Sequence, residues 1–278
     1  MIVTMALVSF PRAADRVPEE YRIGGFAVGC QMWSFNRFTL FEGIEMTAQA
    51  GGRVVEFYPG QRLEPGSDVT FDHDAPDEVL DRVKAELARH HLLAVNYAVV
   101  DLPNDEVACR KVFEFARKMG LLALTSEPDP AAMDVIEKLV KEYDIKVAVH
   151  NHPRRPDDPH YKVWDPRYVL SIVNDRDPRI GACADTGHWN RSGLNPVECL
   201  KILEGRVISV HLKDLDKPDG HDVPWGTGIS DVKAILDELK RQRFDGNISV
   251  EYEHNVERSL PEITRCIDFV KEYVRAKN

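Results

Sequence analysis

The amino-acid sequence predicts an α/β protein made of a single (β/α)8 barrel of the TIM type. Eight short runs typical of β-strands alternate in strict order with eight amphipathic helical stretches, and no linker interrupts the alternation. Such alternation is typical of a parallel sheet, and eight units are the number that closes the sheet into a barrel. The length of 278 residues agrees, because these barrels commonly use about 250 residues as one domain.

The predicted elements follow one another from residue 23 to the C-terminus. The strands are predicted at 26–33, 53–58, 92–99, 121–125, 146–151, 179–185, 206–212 and 247–253. The helices are predicted near 40–51, 76–91, 104–119, 129–143, 166–174, 195–204, 230–243 and 258–276. We therefore expect one barrel domain over residues 23–278, preceded by an N-terminal segment of residues 1–22.

The N-terminal segment has two interpretations. Ile2 to Phe10 is mostly apolar and Arg12-Ala13-Ala14 ends in small residues, as in the second half of a secretory signal peptide whose basic start is missing. The other interpretation is a short segment that is disordered or packs on the domain. The location of the protein therefore stays open between the cytoplasm and export to the periplasm.

The composition excludes several classes of protein. Lys and Arg total 36 against 46 Asp and Glu, which leaves a net charge of −10, whereas a nucleic-acid binder normally presents a basic face. No apolar run reaches the roughly 18–20 residues of a membrane span. The five cysteines form no CxxC pair, so they predict neither a disulfide framework nor a zinc ribbon. We expect a globular protein that binds neither nucleic acid nor a membrane.

Four neighbouring strands end in a side chain that can bind a metal ion, and all four lie on the predicted inward face. They are His150, Asp185, His211 and Glu251. The active sites of such barrels lie at the C-terminal mouth, where strand ends converge. Because an unpaired buried charge is costly, four converging groups predict one bound divalent metal ion. Mixed nitrogen and oxygen ligands suit Zn²⁺, Mn²⁺, Fe²⁺ or Co²⁺.

Four motifs make the chain similar to a known superfamily. They are CADTGHW at 183–189, VHLKDL at 210–215, the loop VPWGTG at 223–228 and GNISVEYE at 246–253. With these motifs the chain resembles the xylose isomerase-like barrel superfamily. Within it, the chain is similar to the sugar phosphate isomerase/epimerase branch (AP endonuclease family 2), which shares its fold with endonuclease IV. The resemblance spans roughly residues 24–275.

The resemblance implies a metal ion held by Glu, Asp, His and Glu from strands five to eight. Asp185, His211 and Glu251 match these positions, whereas His150 stands where the family usually has Glu. The two ligand glutamates of the family commonly form the acid/base pair that moves a proton beside a carbonyl. Because histidine replaces one of them, isomerisation, one-base chemistry, elimination and hydration of a keto-sugar all stay open.

The function implied by the resemblance is that of a metal-dependent isomerase or epimerase. Its substrate would be a keto-sugar, a sugar phosphate or a polyol, from which a proton is removed next to a metal-bound carbonyl. Glu251 is the expected base. His188 either hydrogen-bonds the substrate oxygen or supports a metal ligand. Lys213 either stabilises the enediolate or pairs with Asp214 or Glu253.

Further side chains are expected around the substrate. Glu56 on strand two is predicted to point inward, either into the site or into a buried ion pair. Glu127, after strand four, either supplies the carboxylate that His150 lacks or is a charge at a helix N-terminus. His152 shares the face of His150 and is either a ligand or part of the substrate shell. The remaining candidates for the sugar pocket are Gln31, Trp33, Asn96 and Trp225.

Three other functions compete with sugar isomerisation. The first is a lyase or hydratase that acts on 3-keto-glycosides in the same site, which an exported protein would favour. The second is a barrel that binds a sugar without turning it over, and His150 is its one support. The third, an abasic-site nuclease like endonuclease IV, is disfavoured because it needs several zinc ions and a basic DNA groove. We expect a small-molecule sugar as the partner, and the resemblance also allows a homodimer.

Overall fold

A computed structural model describes residues 16–277 of the chain, so residues 1–15 of the predicted N-terminal segment and Asn278 lie outside it. Eight strands form the barrel: β1 (Ala27–Gln31), β2 (Val54–Phe57), β3 (Leu93–Tyr97), β4 (Ala123–Ser126), β5 (Lys146–His150), β6 (Ile180–Asp185), β7 (Val207–Leu212) and β8 (Asn247–Val250). The helices over the same residues are α1 (Leu40–Gln49), α2 (Asp77–Arg89), α3 (Glu106–Met119), α4 (Met133–Tyr143), α5 (Pro166–Val173), α6 (Thr186–Arg191), α7 (Pro196–Ile202), α8 (Val232–Arg241) and α9 (Leu260–Arg275).

The eight strands are parallel and form one closed barrel in chain order. β1 pairs with β2 on one side and with β8 on the other, where Ala27 lies opposite Asn247 and closes the ring. All eight predicted strands and all eight predicted helices are present, which confirms the predicted (β/α)8 barrel. Local sequence starts the helices: Thr39 and Glu42 form a capping box at α1, and Asp105 caps α3.

The last of the strands that carry the predicted site ends earlier than the alternation predicts. β8 ends at Val250, whereas the sequence pattern continues to Glu253. The last pair between β8 and β7 joins Val250 to Leu212, so the following residues have no neighbour in the ladder. Side chains beyond Val250 are therefore held by hydrogen bonds and ion pairs at the mouth rather than by the sheet.

Three small elements at the mouth were not part of the prediction. Helix α6 begins directly after β6, and its six residues are too few for a periodic pattern to reveal it. Asp185 caps this helix, since its Oδ1 accepts a hydrogen bond of 2.7 Å from the backbone N–H of His188. Two short antiparallel hairpins complete the mouth, at 61–62 with 70–71 and at 214–215 with 222–223.

The opposite end of the barrel is sealed by apolar side chains. Val17 is buried against Ala27, Val54 and Val95 inside the barrel. Arg22 holds this segment in place, because its guanidinium donates to the carbonyls of Val17, Gly25 and Asp245. Residues 16–22, which the sequence analysis grouped with the N-terminal segment, therefore contact the barrel directly.

Two glycines allow adjacent strands to approach closely. A Cβ atom at Gly29 on β1 would lie 1.7 Å from the carbonyl oxygen of Val54, and one at Gly181 on β6 would lie 2.1 Å from that of Arg206. Because both contacts are with backbone atoms, a rotamer change cannot relieve them. These positions explain why strands one and six require a residue without a side chain.

All five cysteines are buried and none forms a disulfide. Burial raises the pKa of the Cys30 thiol to about 12, although a hydrogen bond with Thr47 opposes the shift. Within residues 16–277, no helix has both the length and the apolar character that crossing a membrane would require.

Candidate functional site

The four predicted metal ligands meet at the C-terminal mouth of the barrel. One nitrogen or oxygen atom from each of them lies within 4.8 Å of the others; the four residues are His150, Asp185, His211 and Glu251. Asp185 Oδ2 lies 3.8 Å from His150 Nε2 and 4.0 Å from His211 Nδ1. Consecutive strands thus bring together residues that are about 100 positions apart in the chain.

The same four atoms lack hydrogen bonds although they are buried. They are His150 Nε2, Asp185 Oδ2, His211 Nδ1 and Glu251 Oε2. Each of these residues is at most 8% exposed. The two carboxylate oxygens form ion pairs with Lys213, at 3.1 and 2.9 Å, and Glu251 Oε2 also lies 3.2 Å from His211 Nδ1. A native protein seldom leaves buried polar atoms without a hydrogen bond. Two imidazole nitrogens and two carboxylate oxygens aimed at one point fit a divalent transition-metal ion.

Both histidines of this cluster are held by a carboxylate on the nitrogen that faces away from it. His150 Nδ1 lies 3.1 Å from Glu127 Oε1, and His211 Nε2 lies 2.9 Å from Glu56 Oε1. A carboxylate can only accept, so each of these ring nitrogens carries the hydrogen. Burial opposes ionisation of the two rings, but the nearby carboxylates raise the pKa of His150 to about 9 and that of His211 well above its ordinary value. A metal ion at the cluster would displace the ring hydrogen that faces it, which gives the carboxylate–histidine–metal arrangement of known metal sites.

Asp185 and Lys213 are fixed through their backbone by neighbouring polar side chains. The Asn151 side chain accepts from the N–H of Asp185 and donates to its carbonyl, at 2.9 and 3.0 Å. The Thr186 hydroxyl forms the equivalent pair with Lys213, at 2.9 and 3.0 Å. Asn151 and Thr186 were not predicted as site residues from the sequence, although each directly follows a predicted ligand in the chain.

Lys213 is buried among three carboxylates. Its Nζ lies 3.1 Å from Asp185 Oδ2, 2.9 Å from Glu251 Oε2 and 2.8 Å from Glu253 Oε2. Burial alone would lower the pKa of Lys213, but these carboxylates raise it well above the ordinary value. Burial likewise opposes ionisation of Glu251, yet the charges of Lys213 and His211 lower its pKa below the ordinary range. Lys213 is therefore an ammonium and Glu251 a carboxylate at neutral pH.

His188 lies between the cluster and the solvent. Its Nδ1 lies 3.2 Å from Arg191 and its Nε2 lies 3.5 Å from Lys213, so a cationic donor faces each ring nitrogen. This Nε2 lies 3.5 Å from Asp185 Oδ2. Burial lowers the pKa of His188 well below its ordinary value, and Asp185 offsets only part of that shift. A neutral imidazole thus lies beside the predicted ligands.

His152 pairs with His188 at the mouth of the barrel. Its ring is stacked on that of His188, with 5.1 Å between the centroids and 28° between the planes. Its Nδ1 contacts Glu127, and the hydroxyl of Tyr161 donates to the same carboxylate at 3.0 Å. Glu127 therefore joins His150 to His152, and Nε2 of His152 is the nitrogen left to accept a hydrogen bond.

A cavity of about 380 Å³ opens over the cluster. The predicted pocket residues that line it are Gln31, Trp33, His152, His188 and Glu251. Tyr58 and Glu253 line it as well, although neither was assigned to the sugar pocket from the sequence. Trp33 is 42% exposed and contacts Tyr58 edge to face, with 5.1 Å between the ring centroids. The wall thus combines an aromatic side with hydrogen-bonding groups, as sugar-binding pockets do.

The structure places four of the predicted substrate-binding residues away from this cavity. Glu56 is fully buried beneath His211 and accepts from Asn247 Nδ2 at 3.0 Å. Asn96 donates to the Thr125 hydroxyl inside the barrel, at 2.9 Å. Trp225 packs behind β7, where its indole N–H donates to the carbonyl of Leu212. Glu127 likewise lies behind His150 and His152 and is not part of the cavity wall.

Gln31 lines the cavity with its polar atoms already engaged. Its Nε2 donates to the carbonyl of Ala98 at 2.8 Å, and its Oε1 accepts from the backbone N–H of Trp33. Gln31 therefore fixes the start of the segment that carries Trp33, in addition to forming part of the wall.

The glycine loop after β7 is closed by an internal carboxylate. Asp214 accepts hydrogen bonds of 2.9 Å from the backbone N–H groups of Gly226, Gly228 and Ser230. The sequence predicted either Asp214 or Glu253 as the ion-pair partner of Lys213. Glu253 is the one that contacts it, because the loop occupies the Asp214 carboxylate.

Comparison with known proteins identifies the family. The profile of the xylose isomerase-like TIM barrel family matches residues 44–272. The chain belongs to this family. The predicted family resemblance and the predicted barrel are thus both confirmed. Two curated relatives match only part of the chain. An uncharacterized protein of Methanocaldococcus jannaschii, MJ1311, is 27% identical over 152 residues, which cover 53% of this chain and 49% of that protein.

The second curated relative is the inosose dehydratase of Clostridium tetani. It is 26% identical over 148 residues, which cover 46% of this chain and 47% of the dehydratase. The chain thus spans about half the length of the curated relatives it matches.

Solved structures of the xylose isomerase-like fold match over nearly the whole barrel. An uncharacterized protein from Parabacteroides distasonis has 34% identity and a TM-score of 0.72, covering 89% of this chain and 99% of that one. A D-tagatose 3-epimerase-like protein has 20% identity and a TM-score of 0.69, covering 90% of this chain and 97% of that one. At 20% identity, the likeness to the D-tagatose 3-epimerase-like protein supports the fold alone.

Proposed function

We propose that the chain is a metal-dependent enzyme of the sugar isomerase/epimerase type, which moves a proton on the carbon next to a carbonyl group. The observation that carries this proposal is the set of four buried atoms without hydrogen bonds that point at one another beneath the cavity. A cavity of about 380 Å³ is large enough for a monosaccharide. Membership of the xylose isomerase-like family agrees with this chemistry.

The proposed metal site consists of His150 Nε2, Asp185 Oδ2, His211 Nδ1 and Glu251 Oε2. When bound, a divalent ion supplies Lewis acidity, which polarises a carbonyl and makes the neighbouring C–H bond more acidic. Glu127 and Glu56 would hold the two imidazoles in the tautomer that such an ion requires. The donor set favours Zn²⁺, Mn²⁺, Fe²⁺ or Co²⁺ over Ca²⁺ and leaves the choice among them to experiment.

Glu251 is the proposed base. Its carboxylate lies at the border between the cluster and the cavity, where a substrate C–H group would face it. The Lys213 ammonium keeps it ionised, which a base requires. The ammonium of Lys213, 2.9 Å from Glu251, also lowers the electrostatic cost of negative charge that develops on a substrate oxygen.

The two histidines of the cavity wall are proposed to bind substrate oxygens. The ring of His188 lies beside the cluster and hydrogen-bonds an oxygen at the reacting end of the sugar. His152 has Nε2 free to accept from a hydroxyl, because Glu127 holds its other nitrogen. Trp33 offers a flat apolar surface to the C–H face of a sugar ring.

A second candidate is a lyase or hydratase in the same site. In elimination, Glu251 removes the same proton and passes it to the neighbouring hydroxyl, which leaves as water, so one residue serves as both base and acid. His150 at the usual glutamate position favours this one-base chemistry over a symmetric two-glutamate epimerisation. The similarity to a protein named inosose dehydratase also supports it.

The test combines metal analysis with proton exchange in D₂O. Metal content is measured by elemental analysis for the wild type, His150→Ala, Glu251→Gln and the control Glu257→Gln, whose side chain is exposed. Each protein is then incubated with a panel of keto-sugars and polyols, and NMR follows deuterium incorporation and loss of water from the sugar.

We expect about one metal ion per chain, a large loss of metal in His150→Ala, and loss of exchange but only partial loss of metal in Glu251→Gln. Exchange that persists in Glu251→Gln would exclude Glu251 as the base. Metal binding without exchange on any sugar would leave a sugar-binding barrel as the better description, and wild-type protein that binds no metal would overturn the proposal.

A further inference from the structure

The wall of the cavity offers carboxylates but no free positive charge. Among its residues in the described part of the chain, the ionisable ones besides the tyrosine Tyr58 are Glu251, Glu253, His152 and His188; no lysine or arginine is present. A phosphate group carries a charge of about −2 at neutral pH. Sites that bind phosphate supply arginine, lysine or unpaired backbone N–H groups to match that charge.

The two cations nearest to the cavity are occupied by the protein itself. Lys213 is fully buried and its ammonium contacts three carboxylates within 3.1 Å. Arg191 lies 3.6 Å from Asp222 and 3.6 Å from Glu253, and it donates to His188. These two positive charges therefore balance the acidic groups of the site and leave none for an anionic ligand.

The backbone N–H groups that could replace them are occupied as well. In many (β/α)8 barrels a phosphate binds at the loop after strand seven. Here the N–H groups of Gly226, Gly228 and Ser230 in that loop donate to the carboxylate of Asp214. Asp214 is 1% exposed, so the protein's own carboxylate fills the position where a ligand anion would bind.

Arg154 and Arg155, in the loop after β5, are paired with aromatic rings in a separate groove. The Arg155 guanidinium lies 3.7 Å from the centroid of Tyr161, and that of Arg154 lies 5.2 Å from the centroid of Trp164. Both arginines line a different cavity, which also contains Asp158 and Asp165. Neither arginine lines the cavity over the metal cluster.

We infer that the cavity takes an uncharged sugar or polyol and discriminates against its phosphorylated form. This inference rests on the proposed sugar chemistry and narrows its substrate class. Glu253 is assigned as a specificity-determining residue, because it is 33% exposed, lines the cavity and contacts both cations. Because Glu253 pairs with Lys213 and Arg191, it keeps both positive charges from a phosphate that enters the cavity.

The experiment compares matched pairs of free and phosphorylated compounds. The pairs are D-fructose with D-fructose 6-phosphate, D-xylulose with D-xylulose 5-phosphate, and myo-inositol with myo-inositol 1-phosphate. Dissociation constants are measured on metal-loaded protein by fluorescence titration, since Trp33 lines the cavity and is 42% exposed. The readout is the ratio of the two constants within a pair, which a partial loss of folded protein does not change.

Glu253→Gln tests the assigned residue, and Glu257→Gln is its matched control. The control removes the same charge from an exposed glutamate four positions later that lines another cavity. In the wild type we expect at least one free compound to bind about tenfold or more tightly than its phosphate. In Glu253→Gln this ratio is expected to fall by about threefold or more, and in Glu257→Gln it stays within about twofold of the wild type.

The outcomes separate this inference from the function on which it rests. A phosphorylated compound that binds as tightly as its free form would overturn the inference and leave the proposed sugar enzyme intact. A preference that Glu253→Gln leaves unchanged would remove Glu253 from the assignment. If none of the six compounds binds and none exchanges a proton in D₂O, the proposed function fails and the inference fails with it.

Discussion

His211 and Glu56 are 155 residues apart in the chain, yet His211 Nε2 lies 2.9 Å from Glu56 Oε1. Both side chains are fully buried. The carboxylate also accepts from the Ser249 hydroxyl and from Asn247, so its position is set from two other directions. Glu56 thereby fixes the ring of His211, whose second nitrogen points at the proposed metal site.

Replacing Glu56 with glutamine is predicted to weaken metal binding. Glutamine keeps the size of the side chain but removes the negative charge that holds the Nε2 hydrogen of His211. We expect the metal affinity to fall by about 10- to 100-fold, measured by competition with a chelator. Glu238→Gln is the control, since Glu238 forms hydrogen bonds on helix α8. Equal affinities in the two variants would show that His211 is not a ligand.

Replacing Glu127 with alanine is predicted to loosen both histidines that it contacts. His150 and His152 lose their shared acceptor, so we expect metal affinity to fall by about tenfold or more. Tyr161→Phe is the matched control, because it removes one hydrogen bond to Glu127 and leaves the carboxylate in place. A larger loss in Tyr161→Phe than in Glu127→Ala would contradict this assignment.

Removing the metal is predicted to lower the melting temperature of Lys213→Met more than that of the wild type. In this variant the carboxylates of Asp185 and Glu251 have lost their ion pairs with Lys213, so removal of the metal takes away a second positive charge from the same two groups. Breaking a buried ion pair costs about 3–5 kcal/mol, which corresponds to a fall of about 10 °C in melting temperature. The measurement is a thermal melt with and without chelator.

The control for this melt is Lys201→Met, whose lysine is half-exposed and paired with the exposed Glu198. We expect this variant to behave like the wild type, because exposed ion pairs contribute little to stability. A chelator effect in Lys213→Met no larger than in Lys201→Met would show that the ammonium and a metal ion do not share the role of neutralising the site.

The free energy of unfolding is predicted to decrease as the pH rises from about 4 to about 6, because of Asp222. Burial raises the pKa of Asp222 to about 6 in spite of the nearby Lys213. The folded state therefore holds this proton at pH values where the unfolded chain has released it. The resulting stabilisation is complete below the ordinary aspartate pKa and is lost as the pH rises through about 6.

Asp222→Asn should remove this pH dependence, since asparagine cannot ionise. Relative to the wild type, we expect the variant to gain on the order of 2 kcal/mol in unfolding free energy between pH 4.5 and pH 7. Urea unfolding at the two pH values measures the change. Asp219→Asn, an exposed position in the same loop, is expected to show no gain, and an equal gain there would exclude Asp222 as the source.

Helix α6 shows where sequence patterns stop predicting the fold. Long alternating runs marked all eight strands, because inward and outward faces of a barrel strand have different neighbours. The six residues of α6 span less than two turns, so no periodicity distinguishes them from a loop. Its start depends instead on the side chain of Asp185, which serves both as the N-cap and as a proposed ligand.

Glu56 and Asn96 show the corresponding limit for the site. Alternation predicted correctly that both point into the barrel. Alternation does not give the height of a residue along the barrel axis, because that height depends on the stagger between strands. Both side chains lie in a layer beneath the cavity, bonded to His211 and Thr125 respectively, so neither of them lines the pocket.

The sequence by itself determined the barrel, the family and the four side chains at the ends of strands five to eight. These features are local, since each depends on which face of one strand a residue occupies. Only the tertiary structure decided which atoms of His150 and His211 face the cluster, that Lys213 neutralises three carboxylates, and that Asp214 fills the glycine loop. These features depend on distances between residues far apart in the chain, and such distances exist only once the barrel has closed.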